Sequence, residues 1–340
     1  MKNKLSIITV LFALILTGCA KENLEKEAEP KMITVSVAMT SPEDDDATRV
    51  SLTPDSKTPQ GLILKWETTD KLMLCFEYNT NYYHVDAPIV PASISANSKT
   101  ADFTFAIPYQ IPSGATFNLY VVYQKTNTDN ADGGYFRSNT KIYELEKREK
   151  DCITLDKLNS TGKGGISRPM LYFSKKNITN TENPAIGPIT LMHAGWIMAI
   201  HFKNNTSAQI NLPQFIAFGK DNLNWVLNGD YPVATTSFDF SSNTFSSSSS
   251  SRGWLYLNIN EESSSPLYGG KLAAGASTVF YRWVAINDTS IPTLNGEIWI
   301  GSWTYKITQN MLPARTIEYG KTYHVYTTWD GKNFSRTAPY

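Results

Sequence analysis

The chain has 340 residues with 31 basic and 31 acidic side chains, so its formal net charge is zero. A neutral chain does not attract a nucleic acid backbone, and we expect no nucleic acid partner. Aromatic residues make up 12% of the chain, including 18 tyrosines and 8 tryptophans, and long helical periodicities are absent. This balance favours strands, and the length favours two domains over one.

The chain begins with the pattern of a secretory leader, residues 1–18. Lys2 and Lys4 precede an apolar run from Leu5 to Leu16 that is too short to span a bilayer. The small residues before Cys19 resemble a bacterial lipobox, in which that cysteine is diacylated and becomes the first residue of the mature chain. The alternative is an ordinary signal peptide followed by a chance cysteine. We expect lipidation at Cys19 and attachment to the outer membrane through the lipid.

Residues 19–31 follow as a charged tether that is almost free of apolar side chains. A lysine and an acidic residue this close behind the cysteine resemble the signal that sends Bacteroidetes lipoproteins to the outer face of the outer membrane. A plain linker has the same composition. The expected location is therefore the cell surface, on the outer membrane.

Alternating apolar and polar residues then predict a series of strands separated by turn residues. In the first, Met32 to Met39, Ile33, Val35 and Val37 share a face, and we expect an edge or replaceable strand. Further predicted strands are Leu62 to Trp66, Lys71 to Tyr78, Ala101 to Ile107, Phe117 to Tyr123, Ile189 to Leu191, Trp196 to Phe202, Gln214 to Phe218, Trp254 to Ile259, Thr278 to Ile286, Glu297 to Ile307 and Thr322 to Thr328. Their spacing is typical of all-β sandwiches.

Turn residues divide this series into two predicted domains, residues 32–158 and 169–340. The segment between Asn159 and Arg168 is rich in glycine and has no apolar face to bury, which places the boundary there. Asn228-Gly229, Asn295-Gly296 and Asp330-Gly331 are dipeptides that favour tight hairpins.

Two different roles are expected for the two parts of the C-terminal segment. Thr322 to Thr328 is interpreted as a final strand of its own domain, since terminal strands usually pair in this way. Phe334 to Tyr340 continues without an obvious partner, and we expect this stretch to donate a strand to a neighbouring subunit.

Candidate catalytic and metal-binding residues are few. Glu67 and Asp70 beside Trp66 offer a carboxylate pair, although acidic residues are equally expected in a turn between strands. The four histidines form no metal-binding motif, and a hydrogen-bonded interior role is the favoured interpretation of His193. Cys75 reads as a small core residue, and spacing alone leaves open whether it pairs with Cys152. We expect no enzyme activity, no cofactor and no metal.

The order of several short motifs resembles the Bacteroidales fimbrillin-like family. In the first half these are Thr48-Arg49-Val50-Ser51-Leu52, Leu64-Lys65-Trp66-Glu67 and Ala101-Asp102-Phe103-Thr104-Phe105. In the second half they are Leu191-Met192-His193, Ala199-Ile200-His201-Phe202, and Tyr319-Gly320-Lys321-Thr322-Tyr323 followed by Trp329-Asp330-Gly331. The resemblance covers nearly the whole chain after the leader.

This resemblance implies a subunit of a type V pilus made of two tandem transthyretin-like β-sandwich domains. In that family a surface protease cuts after an arginine, removes the first strand and leaves a groove that a strand from the next subunit fills. Arg49 is the matching position. The alternative is that Arg49 belongs to the second strand and stays uncut. The partners implied are other fimbrial subunits, and the residues do not identify an adhesion ligand.

A second interpretation is a surface glycan-binding lipoprotein of a polysaccharide uptake system. Such proteins share the leader, the tether and the sandwich domains, and they stack sugars on exposed aromatic rings. Trp299, Trp303 and Tyr305 fall on one face of a strand by a period of two, which favours a core face but also fits a sugar platform. Exposure of these rings discriminates between the two interpretations.

Overall fold

The computed structural model describes residues 31–39, 43–44, 65–124, 134–145, 170–221, 223, 225–227, 236–247, 253–260, 267–286, 290–301 and 304–340. These residues form an all-β protein, in which the one helical element is a 3₁₀ turn, Pro91–Ser93. None of the helical structure in the described ranges is long and apolar enough to span a bilayer. The expected all-β class is confirmed.

The strands fall into a first and a second group along the chain. Those before residue 180 are β1 Met32–Met39, β2 Glu43–Asp44, β3 Lys71–Tyr78, β4 Asn81–Pro88, β5 Thr100–Ala106, β6 Thr116–Tyr123, β7 Tyr135–Phe136, β8 Ile142–Glu144 and β9 Met170–Thr179. Those after it are β10 Ile189–Ala194, β11 Trp196–Asn204, β12 Ile210–Asn211, β13 Phe215–Gly219, β14 Thr236–Asp239, β15 Thr244–Ser247, β16 Trp254–Asn258, β17 Lys271–Leu272, β18 Ser277–Val284, β19 Ser290–Ile291, β20 Leu294–Ile300, β21 Thr304–Leu312, β22 Arg315–Thr316, β23 Lys321–Trp329 and β24 Phe334–Arg336.

Seven strands enclose the first core in the order β4-β3-β6-β9-β10-β1-β5. We call this unit the first sandwich. Strand β10 joins its two layers, because residues 189–191 pair with β1 whereas residues 192–194 pair with β9. The alternating faces of these strands supply the core, which includes Val37, Phe76, Phe103, Phe117 and Leu191.

The pairing of β9 and β10 moves the expected domain boundary. Strand β9 pairs antiparallel with β6, and Leu171 and Ile178 lie in the first core. The first sandwich therefore extends to Ala194, whereas the sequence placed a second domain from residue 169. The physical reason is that β6 would otherwise be left with an unpaired edge beside a buried apolar face.

Strand β1 has the predicted bounds and the predicted inward face, since Val35 and Val37 are buried and Ile33 is half-buried. Its expected position at an edge is wrong. It pairs antiparallel with β5 along most of its length, and it pairs parallel with β10 through Val37 to Met39. The strand therefore lies between two others, although its first residues have a strand on one side alone within the described chain.

The second sandwich packs two sheets face to face. One has the order β18-β11-β23, with β24 and β2 both paired to the outer edge of β23. The other has the order β16-β13-β20-β21. Their inner faces share one core, in which Ile200, Phe218, Leu257 and Ile298 are fully buried.

The C-terminal segment is paired within its own chain. Strand β24 pairs with β23, and Phe334 is 1% exposed in the second core. The hydroxyl of Tyr340 donates to the carbonyl of Thr327 at 3.2 Å. The prediction that Phe334 to Tyr340 lacks a partner of its own is wrong, while the hairpin predicted at Asp330-Gly331 is confirmed by the φ of +93° at Gly331.

A third apolar cluster joins the two sandwiches. It is covered by a small sheet of order β15-β14-β8-β7, in which Phe238 of β14 pairs with Tyr143 of β8. We call this the joint sheet. Its aromatic side chains pack on Tyr120 from the first sandwich and on Trp283 from the second, both of which are buried. Because strands from both halves of the chain build one sheet, the two sandwiches share a hydrophobic core at their junction.

Glu77 attaches the hairpin between β7 and β8 to the first sandwich. Its carboxylate accepts hydrogen bonds from Tyr120 at 2.5 Å, Asn118 at 2.8 Å, Tyr82 at 3.1 Å and Lys141 at 3.1 Å. Burial alone would raise the pKa of Glu77, but hydrogen bonds from Tyr120, Asn118 and Lys141 outweigh it and lower the pKa to about 2. The carboxylate is therefore held in its charged form by its neighbours.

Candidate functional site

Three of the residues singled out by the sequence, Cys19, Arg49 and Trp303, lie outside the described residues, as does Cys152. Cys75 is fully buried in the cluster at the junction, and burial raises the pKa of its thiol to about 12. This is the core role that the sequence predicted.

Glu67 and Asp70 form a turn. The backbone N–H of Glu67 donates to the Asp70 carboxylate at 2.7 Å, and the Asp70 N–H donates to the Glu67 carbonyl at 3.0 Å. Trp66 beside them is 3% exposed and packs edge-on against Phe103 and Tyr123 in the first core. The arrangement agrees with a turn before β3 and not with a carboxylate pair facing a substrate.

Two of the histidines meet on the outer face of the second sandwich. His201 on β11 and His324 on β23 bring Nε2 and Nδ1 within 2.8 Å of each other, and Tyr326 stacks on the His201 ring. His193 is half-buried on β10, where it pairs with Leu171 of β9. No group of three or more metal-ligating side chains occurs among the described residues.

Trp299 and Tyr305 share a face for a different reason from the predicted one. The predicted single strand Glu297 to Ile307 is two strands, β20 and β21, with a turn at Gly301, where φ is +65°. Trp299 and Tyr305 are direct cross-strand partners in this hairpin. Side chains of paired residues lie on the same side of a sheet, so the two rings are neighbours.

These two rings belong to a larger aromatic face on the outer side of the sheet β16-β13-β20-β21. Successive side chains of a strand point to opposite faces of the sheet. Ile216, Leu257 and Ile298 point into the core, so their neighbours along each strand point outward. We define the aromatic face by the outward residues Phe215, Trp254, Tyr256, Trp299 and Tyr305.

Phe215 is the centre of the aromatic face. Its ring centroid lies 5.3 Å from Tyr256, 5.9 Å from Trp299 and 6.3 Å from Tyr305, all in edge-on geometry. Phe215 is 9% exposed, while Tyr305 is 47% exposed. The outer rings therefore stand around a buried one and present their surfaces to solvent.

A buried carboxyl group lies beside these rings. Glu297 is 5% exposed on β20, and it accepts a hydrogen bond from the hydroxyl of Tyr305. Burial raises the pKa of Glu297, partly offset by this hydrogen bond, and the nearby Asp221 raises it further. Burial and the same hydrogen bond raise the pKa of Tyr305. Tyr305 is thus held in a fixed position over a carboxyl group.

Asp221 also orients one of the rings. Its carboxylate accepts a hydrogen bond from the indole Nε1 of Trp254 at 3.0 Å. The sequence did not point to Phe215, Trp254, Tyr256 or Glu297, because these residues lie on separate strands. The available signal was aromatic residues at alternate positions, which Trp254 and Tyr256 show.

The slot occupied by β1 is the second feature that bears on function. Val35, Val37 and Met39 project from it into the first core and are at most 5% exposed. The remainder of the first sandwich follows in the chain after residue 65. Within the described residues, β1 is therefore separated in sequence from every strand with which it pairs.

No family model matches the sequence, and neither does any curated protein. Among solved structures, the chain is similar to a candidate cell adhesion protein from Bacteroides fragilis NCTC 9343, at 10% identity and a TM-score of 0.41, over 90% of this chain and 97% of that one. It is also similar to a candidate adhesin from Bacteroides ovatus, at 7% identity and a TM-score of 0.39, over 90% and 96%. A candidate cell adhesion protein from Bacteroides eggerthii DSM 20697 follows at 12% identity and a TM-score of 0.35, over 89% and 88%. Sequence identities and TM-scores as low as these do not establish a function.

Proposed function

We propose that the protein is a structural and adhesive subunit of a cell-surface fimbria that assembles by strand addition. The observation that carries this proposal is the position of β1. It fills a slot between β5 and β10 and contributes Val35, Val37 and Met39 to the first core. A strand in such a slot can be replaced by an equivalent strand from another subunit.

Removal of β1 would leave an unstable surface. Strand β5 would lose seven residue pairs and β10 would lose three. Three apolar side chains buried at about 2 kcal/mol each contribute on the order of 6 kcal/mol, which the emptied groove would lose. A donated strand with the same alternation would restore both the backbone hydrogen bonds and the buried area.

The location and processing of the subunit follow from the residues before and after β1. In this proposal Cys19 carries the lipid and brings the chain to the outer membrane. Cleavage after Arg49 then separates β1, with its lipid, from the body of the protein. Without cleavage the lipid stays attached, and the subunit serves as a tip or an anchor instead of a stalk.

The test is the fate of the N-terminus in cells. The N-terminal residue of the assembled protein should be Val50, and Arg49→Ala should keep the chain at its full mature length and prevent polymer formation. Lys65→Ala is the matched control, since Lys65 is exposed and follows the same segment. Polymers formed equally well by Arg49→Ala would refute assembly by cleavage.

Lipidation is tested separately. Cys19→Ala should abolish labelling by a fatty-acid analogue and remove the protein from the outer-membrane fraction. Wild-type abundance of this variant at the outer membrane would contradict the proposed anchor.

A further inference from the structure

The aromatic face offers a binding surface that strand addition does not use. It lies on the second sandwich, on the side of its sheet that faces away from the core. Tyr305 and Ile307 on β21 are 47% and 48% exposed, and Trp254, Tyr256 and Trp299 are half-buried. The β1 slot lies in the other sandwich, so the two features are independent.

The chemistry of the aromatic face combines ring surfaces with a few fixed polar groups. Sites of this composition bind small organic ligands, because the rings supply apolar contact and the polar groups fix orientation. Here the polar atoms are the Tyr305 hydroxyl, which donates to the Glu297 carboxyl group, and the Asp221 carboxylate, which accepts from Trp254. A sugar ring presents the matching surfaces, with apolar C–H faces and hydroxyl groups around its rim.

The acidic groups beside the aromatic face favour an uncharged ligand over an anionic one. Glu297 and Asp221 are both acidic, and Lys306 alternates to the opposite side of β21 from Tyr305. An anionic sugar would place its carboxylate or sulfate beside two acidic groups. An uncharged sugar meets no such repulsion, and its hydroxyl groups can donate hydrogen bonds to the exposed Asp221 carboxylate.

We propose that the aromatic face binds an uncharged glycan chain, with Trp299, Tyr305 and Tyr256 against the sugar rings and the exposed Asp221 carboxylate as an acceptor for sugar hydroxyl groups. The rings stand in a fixed arrangement around Phe215, so little conformational entropy is lost on binding. The same surface on an outer-membrane protein would attach cells to a polysaccharide.

The test uses the purified full-length chain in native gels that contain soluble polysaccharides. The uncharged probes are xyloglucan, galactomannan, laminarin and starch, and the charged probes are heparin and polygalacturonate. At least one uncharged polymer should retard the protein, and Tyr305→Ala should weaken that interaction about tenfold by calorimetry. Tyr305→Phe should keep most of the affinity, because the ring surface remains.

Tyr109→Ala is the matched control, because Tyr109 is 86% exposed in the first sandwich, and it should bind like the wild type. Melting temperatures of the variants show whether the fold is intact, and quenching of tryptophan fluorescence by the polymer gives a second measurement of contact. The proposal is overturned if no uncharged polymer is bound, if heparin or polygalacturonate is preferred, or if Tyr305→Ala changes self-association and leaves glycan binding unaffected.

Discussion

Replacement of Glu77 by glutamine should destabilise the protein at neutral pH and have little effect in acid. Burial would raise the pKa of this carboxyl group, but hydrogen bonds from Tyr120, Asn118 and Lys141, together with the charge of Lys141, lower it from 4.5 to about 2. Each pKa unit corresponds to about 1.4 kcal/mol, which sets an upper limit of about 3.5 kcal/mol on the stabilisation. The side chain is 16% exposed, so screening by water reduces this to on the order of 2 kcal/mol.

The pH dependence follows from the direction of the shift. A carboxyl group whose pKa is lower in the folded state stabilises the protein fully above its unfolded value of about 4.5. That stabilisation is lost as the pH falls towards 2, because the folded protein must then also bind the proton. Glutamine keeps the shape of the side chain and lacks the charge at every pH.

Urea denaturation of both proteins at pH 7, 5, 4 and 3 measures this difference. The free energy of unfolding should differ by about 2 kcal/mol at pH 7 and pH 5 and by less than half of that at pH 3. Glu182→Gln is the control, since this exposed side chain lies outside the cluster, and it should change stability by less than about 0.5 kcal/mol. A difference that stays constant from pH 7 to pH 3 would refute the role assigned to the charge.

Three further substitutions test packing, the first two by denaturant unfolding and the third by calorimetry. Gly296→Ala should cost about 1–3 kcal/mol, because its Cβ would lie 2.0 Å from the sulfur of Met311. Phe334→Ala should cost about 3–5 kcal/mol by opening a cavity in the second core, whereas Arg336→Ala on the same strand is exposed and should be neutral. Phe238→Ala at the junction should cost a similar amount and separate one calorimetric transition into two.

Each of these expectations has a clear contrary result. Wild-type stability of Gly296→Ala would mean that Met311 moves aside freely, and Gly187→Ala is its control because its Cβ would lie 3.6 Å from the nearest atom. Equal stability of Phe334→Ala and Arg336→Ala would contradict the intramolecular docking of the C-terminal segment. A single transition in Phe238→Ala would show that other contacts are enough to couple the sandwiches.

The strands that could be predicted are those that alternate strongly or are continuously apolar. Strands β1 and β3 have the predicted bounds, because β1 buries one face and β3 buries both faces from Leu72 to Phe76. Strand β4 was missed because Asn81–Pro88 carries histidine, aspartate and proline, which an outer strand tolerates. Strand β9 was missed because lysines occupy the middle of Met170–Thr179, where burial is partial.

One of the turns predicted from a local dipeptide is absent from the structure. Asn295-Gly296 reads as a hairpin, but both residues lie inside β20, and the register shifts beside them. Glycine is required there by the approach of Met311 from the neighbouring strand and not by a turn. A contact with a residue that is distant in sequence leaves no local signal, so this role could not be predicted.

The candidate site was predicted in part. Trp299 and Tyr305 do lie on one face, but they are partners in a hairpin. The alternating residues predicted a single strand, so the turn between the two rings was not predicted. Phe215 and Tyr256 join them from two other strands. Strand order and register depend on pairings across the whole sheet, which one sequence does not reveal.

The pairings of β1 with β10 and of β2 with β23 join residues that lie far apart in the chain. Glu43 lies opposite Lys321, and Val37 lies opposite Ile189. Residues near the N-terminus therefore pair with residues that are synthesised much later. Such high contact order slows folding, because long loops must close before their contacts form. A chain that emerges residue by residue therefore cannot complete its first sandwich until β10 has appeared.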